Sequence, residues 1–500
     1  TFYGPERFTR STGAPTTVTR TISTAGYQAP FTLRVVNGTG GNAVTSGSIR
    51  LDGVEILGPG DFKKSMGALA IPVTVGATAT LQVTLASKPG SYVDVALDGV
   101  PSATLFCPTT MQGAYTDLQA AVNATDPGGT IVVCDGTHDV DSVVVDRPLT
   151  IRSQHPGGAT IGDSYTGPFG QGGRPAIAIN GYTAGTVRFA DIGFAANGTA
   201  IQALGTFDQI EIDSVHFTGR DSTTSFLVRV GASTEASARV EVTNSSFEHM
   251  TIGIFAISDV EVNVRHSSFN RFLSGSVTHS SGGVGGFRSR GTIEYSTFTN
   301  CWGVGCIRSF GDRITIRHNY IDASAPASRP FAVFYNRTNP PDANSQPYVF
   351  EDNTIVANPL PGSPLVATSY AQQSGVNLVD PGALAAEIHR NTIGTVFTGV
   401  VISNGGSLNM TDNVITGGVF AFNRTSPLGS VTVTRNDFNG LLGSFRTANS
   451  ATPGPANYQC NWWGASGPLA PAVTGPALPA STYTPWAATP IANQPAVTCP

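Results

Sequence analysis

The sequence predicts an all-β protein, a small β-sandwich followed by a long solenoid of stacked coils. Three observations carry this. One phrase recurs as Ala386-Glu-Ile-His-Arg-Asn391-Thr-Ile393, Leu408-Asn-Met-Thr-Asp-Asn413-Val-Ile415 and Val431-Thr-Val-Thr-Arg-Asn436-Asp-Phe438, at a spacing of about 22–23 residues that suits a solenoid repeat. A unit this short cannot bury its own apolar face, so neighbouring units must stack. Only 12% of residues are charged while 40% are hydrophobic, glycine numbers 58, and helical periodicity is almost absent, a composition of secreted β proteins. The first hundred residues instead alternate apolar and polar with a period of two, the mark of half-buried strands.

In chain order, residues 1–15 carry Gly4-Pro5 and Gly13-Ala-Pro15 and read as an extended lead-in. Period-two runs follow at Thr17–Ile22, Phe31–Val36, Ser48–Leu51, Val54–Leu57, Ala70–Val75, Thr80–Leu85 and Tyr92–Leu97. Asp52-Gly53 between two of them is a hairpin signal, because both residues accept positive φ. Seven short strands imply a β-sandwich of immunoglobulin-like type, so 1–100 is assigned as arm plus sandwich. Such a module suits a spacer or adhesive unit.

Pro101 to Pro108 marks a boundary, and the solenoid is assigned to 107–500. Tyr115 to Ala124 is the one convincing helix, capped by Thr116 or Asp117 and stopped at Asp126-Pro-Gly-Gly129, which gives an N-terminal cap at 115–125. Then come Gly129-Thr-Ile-Val132, Gly136-Thr-His138 and Pro148-Leu-Thr-Ile151. This succession resembles the opening of right-handed parallel β-helix proteins of the pectin-lyase-like superfamily, and the resemblance implies a right-handed parallel β-helix of about twelve coils. Tyr458-Gln-Cys-Asn-Trp-Trp-Gly464, Ser466-Gly-Pro468 and Pro485-Trp486 resemble the ending of β-helix repeat proteins and imply a C-terminal cap at 456–500. The fold says little about activity.

The repeated phrase extends backwards. Its first place falls at Val187, Ile210, Val240, Val262, Gly291, Ile314 and Tyr348, and its eighth at Phe194, Phe217, Phe247, Phe269, Phe298, Ile321 and Ile355. Its sixth place holds Ser245, Ser267 and Ser296, then Asn319, Asn353, Asn391, Asn413 and Asn436, the five asparagines being read as a structural ladder that satisfies a buried turn. Its fourth place alternates in sign through Arg265, Glu294, Arg317 and Glu351, an ionic ladder. His266 and His318 share the fifth place and lack metal-ligand spacing, so they read as turn residues and no metal is expected. Six cysteines allow fifteen pairings; sequence neighbours suggest Cys107–Cys134, Cys301–Cys306 and Cys460–Cys499, and six buried thiols are the other reading.

Function is read against this scaffold. The net charge of −5 gives no reason to expect nucleic acid, and no apolar run is long enough for a membrane span. No signal peptide is visible, so a chain opening at Thr1 reads as already processed, and the expected location is extracellular or cell-surface. The strands between the eighth place and the next coil offer no facing carboxylate pair for glycoside hydrolysis. No lysine lies in the solenoid and no calcium-ligand cluster appears, so neither a catalytic residue nor a cofactor is assigned. The ligand-directed candidates are Arg229, Arg288, Arg290, Arg308 and Arg337 with Tyr335, since guanidinium forks bind carboxylate or sulfate and aromatic faces take sugar rings. The first reading is a non-catalytic extracellular structural, adhesive or filament-type protein that contacts acidic polysaccharide, with self-association through the arm or sandwich. A polysaccharide lyase or glycoside hydrolase is the alternative, and a carbohydrate-binding module the third.

Overall fold

The structure is a computed structural model of the 500-residue chain. It describes all residues except 2, 16, 25–26, 77, 102, 108–113, 164–173, 183, 220–225, 233–237, 258–259, 281–289, 302–305, 310–313, 323–332, 337–346, 357–373, 380–384, 395–397, 404–406, 419, 425–428, 441–442, 448–455, 465–486, 488 and 492–500. Two compact units form, Thr1–Leu105 with Asn123–Ile131, and Phe106–Val122 with Val132–Pro500.

The first unit holds an antiparallel β-sandwich. Its strands are β1 (Tyr3–Thr9), β2 (Thr17–Ser23), β3 (Tyr27–Asn37), β4 (Gly47–Leu51), β5 (Val54–Leu57), β6 (Ala68–Val73), β7 (Thr78–Leu85) and β8 (Tyr92–Pro101). They form two four-stranded sheets, ordered β1-β8-β3-β6 and β2-β7-β4-β5. Alternation places Leu33, Val35, Leu81, Val83, Val95 and Leu97 between the sheets. Asp52 and Gly53 both adopt positive φ, 51° and 79°, as a two-residue hairpin turn requires. The lead-in reading of residues 1–15 is corrected here, because Tyr3–Thr9 pairs with β8 and buries Phe8 opposite Val93. Pro5 and a register shift between Tyr3 and Glu6 break the alternation that would have shown this strand in the sequence.

The second unit is a right-handed parallel β-helix. Each coil sends one strand to a fourteen-stranded sheet, turns sharply, and lays two further strands into a twenty-two-stranded array. Parallel register aligns Val187 with Ile210, Val240, Val262, Gly291 and Ile314, and aligns Phe194 with Phe217, Phe247, Phe269, Phe298 and Ile321. Those phenyl rings stack from Phe194 to Phe298 with centroids 4.6–5.2 Å apart, close to the strand spacing. The helix α1 (Leu118–Ala124) starts at Asp117, whose Oδ1 accepts the Ala120 N–H at 2.7 Å, and buries Leu118, Ala121 and Val122. Cys107 and Cys134 form a disulfide. Cys306 and Cys460 are also disulfide-bonded, while Cys499 and the Cys301 side chain lie outside the described residues.

The sharp turn explains the sixth column. Its preceding residue takes a left-handed φ in coil after coil, as at His266 (48°), Tyr295 (51°), His318 (55°), Asp352 (55°) and Arg390 (54°). That bend turns the next N–H inward, where it needs an acceptor from the following coil. Ser245, Ser267 and Ser296 supply it first, through Oγ atoms that accept the N–H of Val215, Ser245 and Ser267 at 3.1–3.2 Å. From Asn319 to Asn436 the acceptor is Oδ1, and the ladder runs one rung further to Asn461, which accepts the Asn436 N–H at 2.9 Å. Asn461 was hidden in the sequence inside the Trp-Trp motif. Beside it, Trp463 covers Phe438 at 4.7 Å and closes the column of eighth-place residues, while Trp486 lies outside the described residues.

Candidate functional site

Charge divides the solenoid into two kinds of surface. On the fourteen-stranded sheet, the strands from Thr186–Ala190 to Ala385–His389 carry both signs, and their side chains neutralise one another. Glu294 is buried and holds Arg265 at 2.6 Å and Arg317 at 2.5 Å. Arg188 binds Asp213 at 2.9 Å, Arg290 binds Glu261 at 3.1 Å, and Arg390 binds Asp352 at 2.7 Å. His389 Nε2 donates to Glu387 Oε2 at 2.8 Å. Among the described residues no cluster of His, Cys, Asp or Glu could hold a metal ion.

This lattice is expected to make the fold acid-sensitive. Burial alone would raise the Glu261 carboxyl, but hydrogen bonds from Asn263 and Arg290 and the charges of Arg239 and Arg290 outweigh it and hold its pKa below the ordinary range. Asp213 is lowered likewise, burial being outweighed by Asn244, Thr243 and Arg188. Both carboxyls bind protons less readily folded than unfolded. The stability they add is therefore present above the ordinary carboxylate pKa of about 4 and is lost as pH falls through the depressed values. Thermal melting between pH 7 and 3 should show a steep fall below about pH 4, and Glu261→Gln should make that fall shallower.

The third strand of each coil is different. The strands Ile201–Gly205, Phe226–Ala232, Ile307–Ser309, Val333–Asn336, Ser374–Val379, Thr398–Ser403, Phe420–Arg424 and Gly443–Thr447 contain no Asp or Glu, and neither do the later halves of Ser246–Ile257 and Ser268–Ser280. Their charged residues are Arg229, Arg308, Arg424 and Arg446, with His279 beside them. One column of this ribbon runs through Gln202, Arg229, Phe255, Thr278, Arg308 and Phe334 in continuous register.

Arg229 is its best-defined member. Val228 and Val230 on either side are fully buried, so alternation turns Arg229 outward, where it stays half-buried. Its Cζ lies 5.9 Å from the Phe226 ring, and Phe226 stacks on Phe255 at 4.9 Å. Arg188, Arg239, Arg265, Arg290, Arg317, Arg390 and Arg435 each hold a carboxylate. Arg229 holds none among the described residues, and its buried Nε has no hydrogen-bond partner. Burial pushes its pKa down, which marks a desolvated cation without a counter-charge.

No protein-family model and no curated protein matches this chain. Among solved structures it is similar to the catalytic domain of a GH87 α-1,3-glucanase in complex with nigerose, at 13% identity over 88% of this chain and 87% of that one, with a TM-score of 0.47. It is similar to the catalytic unit of the thermostable GH87 α-1,3-glucanase from Streptomyces thermodiastaticus, at 13% identity over 88% and 87%, TM-score 0.44. The family 28 exopolygalacturonase of Yersinia enterocolitica matches at 11% identity over 88% of this chain and 100% of that one, TM-score 0.40. No residue of theirs is carried onto this chain.

The candidates from the sequence are thus sorted. Arg229 and Arg308 share one column of the ribbon, and Tyr335 lies one residue beyond that column on the strand Val333–Asn336. Arg290 does not belong with them. It begins the strand Arg290–Glu294 of the fourteen-stranded sheet and is engaged by Glu261, while residues 286–289 before it lie outside the described residues. Arg288 and Arg337 lie outside the described residues. Phe226 and Phe255 were missed; the period-two pattern of Phe226–Ala232 and of Gly253–Ala256 was their only sequence signal.

Proposed function

We propose that this chain is an extracellular polysaccharide-engaging β-helix, whose glycan site is the acid-free ribbon centred on Arg229. The observation that carries this reading is the half-buried Arg229 guanidinium, which holds no carboxylate among the described residues, leaves its buried Nε without a hydrogen-bond partner and lies beside Phe226, itself stacked on Phe255. Such a group recognises a carboxylate or sulfate, and the rings offer apolar faces to the sugar. The reading moves weight from a purely structural, adhesive or filament role towards a glycan ligand. Disulfide bonding at Cys107–Cys134, Cys306 and Cys460 supports an oxidising compartment, and among the described residues no helix is long and apolar enough to cross a membrane.

Turnover of that glycan is the second reading, and the similar solved structures are those of an α-1,3-glucanase and an exopolygalacturonase. The ribbon strands supply no carboxylate pair, so the acids of a hydrolase would have to reach the glycan from the loops between strands. Titration of acidic and neutral polysaccharides against the wild type and Arg229→Gln tests the site. Acidic chains should bind in a salt-sensitive manner, and the variant should lose about tenfold or more, or ~1.4 kcal/mol, without loss of melting temperature. Equal binding by the variant, or preference for neutral chains, would overturn the proposal. Absorbance near 235 nm and reducing-end release in the same samples report lyase or hydrolase activity.

A further inference from the structure

Strand register shows what an arginine on this solenoid ordinarily faces. On the fourteen-stranded sheet, Glu261 is the register partner of both Arg239 and Arg290, and Glu294 of both Arg265 and Arg317. Glu261 meets Arg290 at 3.1 Å, and Glu294 meets Arg265 at 2.6 Å and Arg317 at 2.5 Å. On the ribbon, Arg229 has Gln202 as its register partner on the preceding coil. Glutamine has the length and shape of glutamate but ends in an uncharged amide. Ile201 and Ala203 on either side of Gln202 are fully buried, so alternation turns it outward, onto the face that Arg229 occupies. Both side chains are half-buried. On the following coil the register partner of Arg229 is Phe255, whose ring stacks on Phe226 at 4.9 Å.

Resting on the glycan reading above, we infer that Gln202 is a further ligand-binding residue, and that with Arg229 it forms a clamp for the carboxylate of a uronic acid. The two side chains rise from strands about 4.8 Å apart, a gap that one carboxylate spans with a hydrogen bond to each side. The guanidinium edge donates to both oxygens as a fork, and Gln202 Nε2 donates to a remaining lone pair of one of them. Gln202 Oε1 is then left to accept a hydroxyl proton from the same sugar. A glutamate here would close on Arg229 as Glu261 closes on Arg290, and the ligand would meet a neutral pair. The amide keeps the cation open and adds a donor at the same time. Donors therefore stand on one side of Arg229 and an aromatic ring on the other. A flat carboxylate fits with both oxygens turned to the donors. A sulfate ester would turn its third oxygen towards Phe255, which has no donor to give it, and specificity comes from that unmet group.

A hexameric oligouronate and a sulfated hexamer of a neutral sugar give the test, measured by calorimetry at fixed salt against the wild type, Gln202→Leu, Gln202→Glu and Arg229→Gln. The wild type should bind the oligouronate about tenfold or more tightly than the sulfated compound. Gln202→Leu keeps the cation but loses the amide. Its affinity for the oligouronate should fall by about that factor, while its affinity for the sulfated compound stays unchanged. Gln202→Glu should weaken both compounds as fully as Arg229→Gln does, and should melt at or above the wild-type temperature at neutral pH. Wild-type affinity for the oligouronate in either Gln202 variant, or a wild-type preference for the sulfated compound, would overturn the clamp and leave the Arg229 site standing. If Arg229→Gln weakened neither compound, the site itself would fall.

Discussion

Asn391→Ala is expected to destabilise the solenoid by about 3–5 kcal/mol, which would place it among the most damaging single changes in the chain. The side chain is buried and its Nδ2 donates to the carbonyls of Phe350 and His389 and to Asn413 Oδ1, at 2.8–2.9 Å. Its Oδ1 accepts the backbone N–H and the Nδ2 of Asn353, at 2.9 and 3.0 Å. Alanine removes all of these and orphans donors and acceptors on two coils at a depth that water does not reach. Each unsatisfied group costs about 1–3 kcal/mol, and partial relaxation keeps the total below the plain sum. Asn391→Ser should fall in between, because Ser267 and Ser296 perform the acceptor role one stretch earlier. Hydrogen exchange of the Asn353 amide is the direct readout, with denaturant midpoints alongside. Protection unchanged in Asn391→Ala would show that the turn does not depend on the ladder. Solenoids lose cooperativity along their length, so the local amide is a sharper probe than a global melt.

Much of the fold was legible because stacking is periodic. Parallel register repeats a residue type on every coil, so the columns beginning at Val187 and Phe194 can be aligned from the sequence and recur in the strand pairing. The ionic ladder was legible for the same reason, since Glu294 between Arg265 and Arg317 alternates along one column. The strand Tyr3–Thr9 was not, because a proline and a register shift erase its alternation. The site was legible only in part. Arginines could be collected from the sequence, but whether one is free depends on which coil its carboxylate stands on. Arg290 and Arg229 look alike in the sequence; Glu261 on the preceding coil engages one, and no described acid reaches the other.

This separation has a physical logic. Side chains on the fourteen-stranded sheet meet only their neighbours above and below, so each charge is best placed beside its opposite, at roughly 0.2–1 kcal/mol per pair. Acids kept on that face do not reach Arg229, the one described ribbon arginine whose side chain the proposed ligand would engage. The cost is a desolvated cation at Arg229. Arg229→Gln should therefore leave stability unchanged or slightly improved while it removes binding, a pairing of effects that a structural arginine would not show.

Phe269→Ala is expected to cost about 3–5 kcal/mol through a different mechanism. Phe269 is fully buried and lies face to face with Phe247 at 4.6 Å and Phe298 at 4.8 Å, with interplanar angles of 4° and 6°. Alanine leaves a ring-sized void bounded by two phenyl faces. Those rings cannot move together to fill it, because each is held by a strand whose spacing the backbone hydrogen bonds set. Both the lost apolar burial and the residual cavity then count, together with the two ring contacts. Phe269→Ile should cost less than half as much, since Ile321 occupies the same column next to Phe298 and packs there without strain in the coil geometry. Denaturant unfolding and hydrogen exchange of Ser268–Asn270 measure both variants. A loss below about 1 kcal/mol for Phe269→Ala would mean that the coils collapse inward, and that the core is held by the backbone ladder and not by its rings.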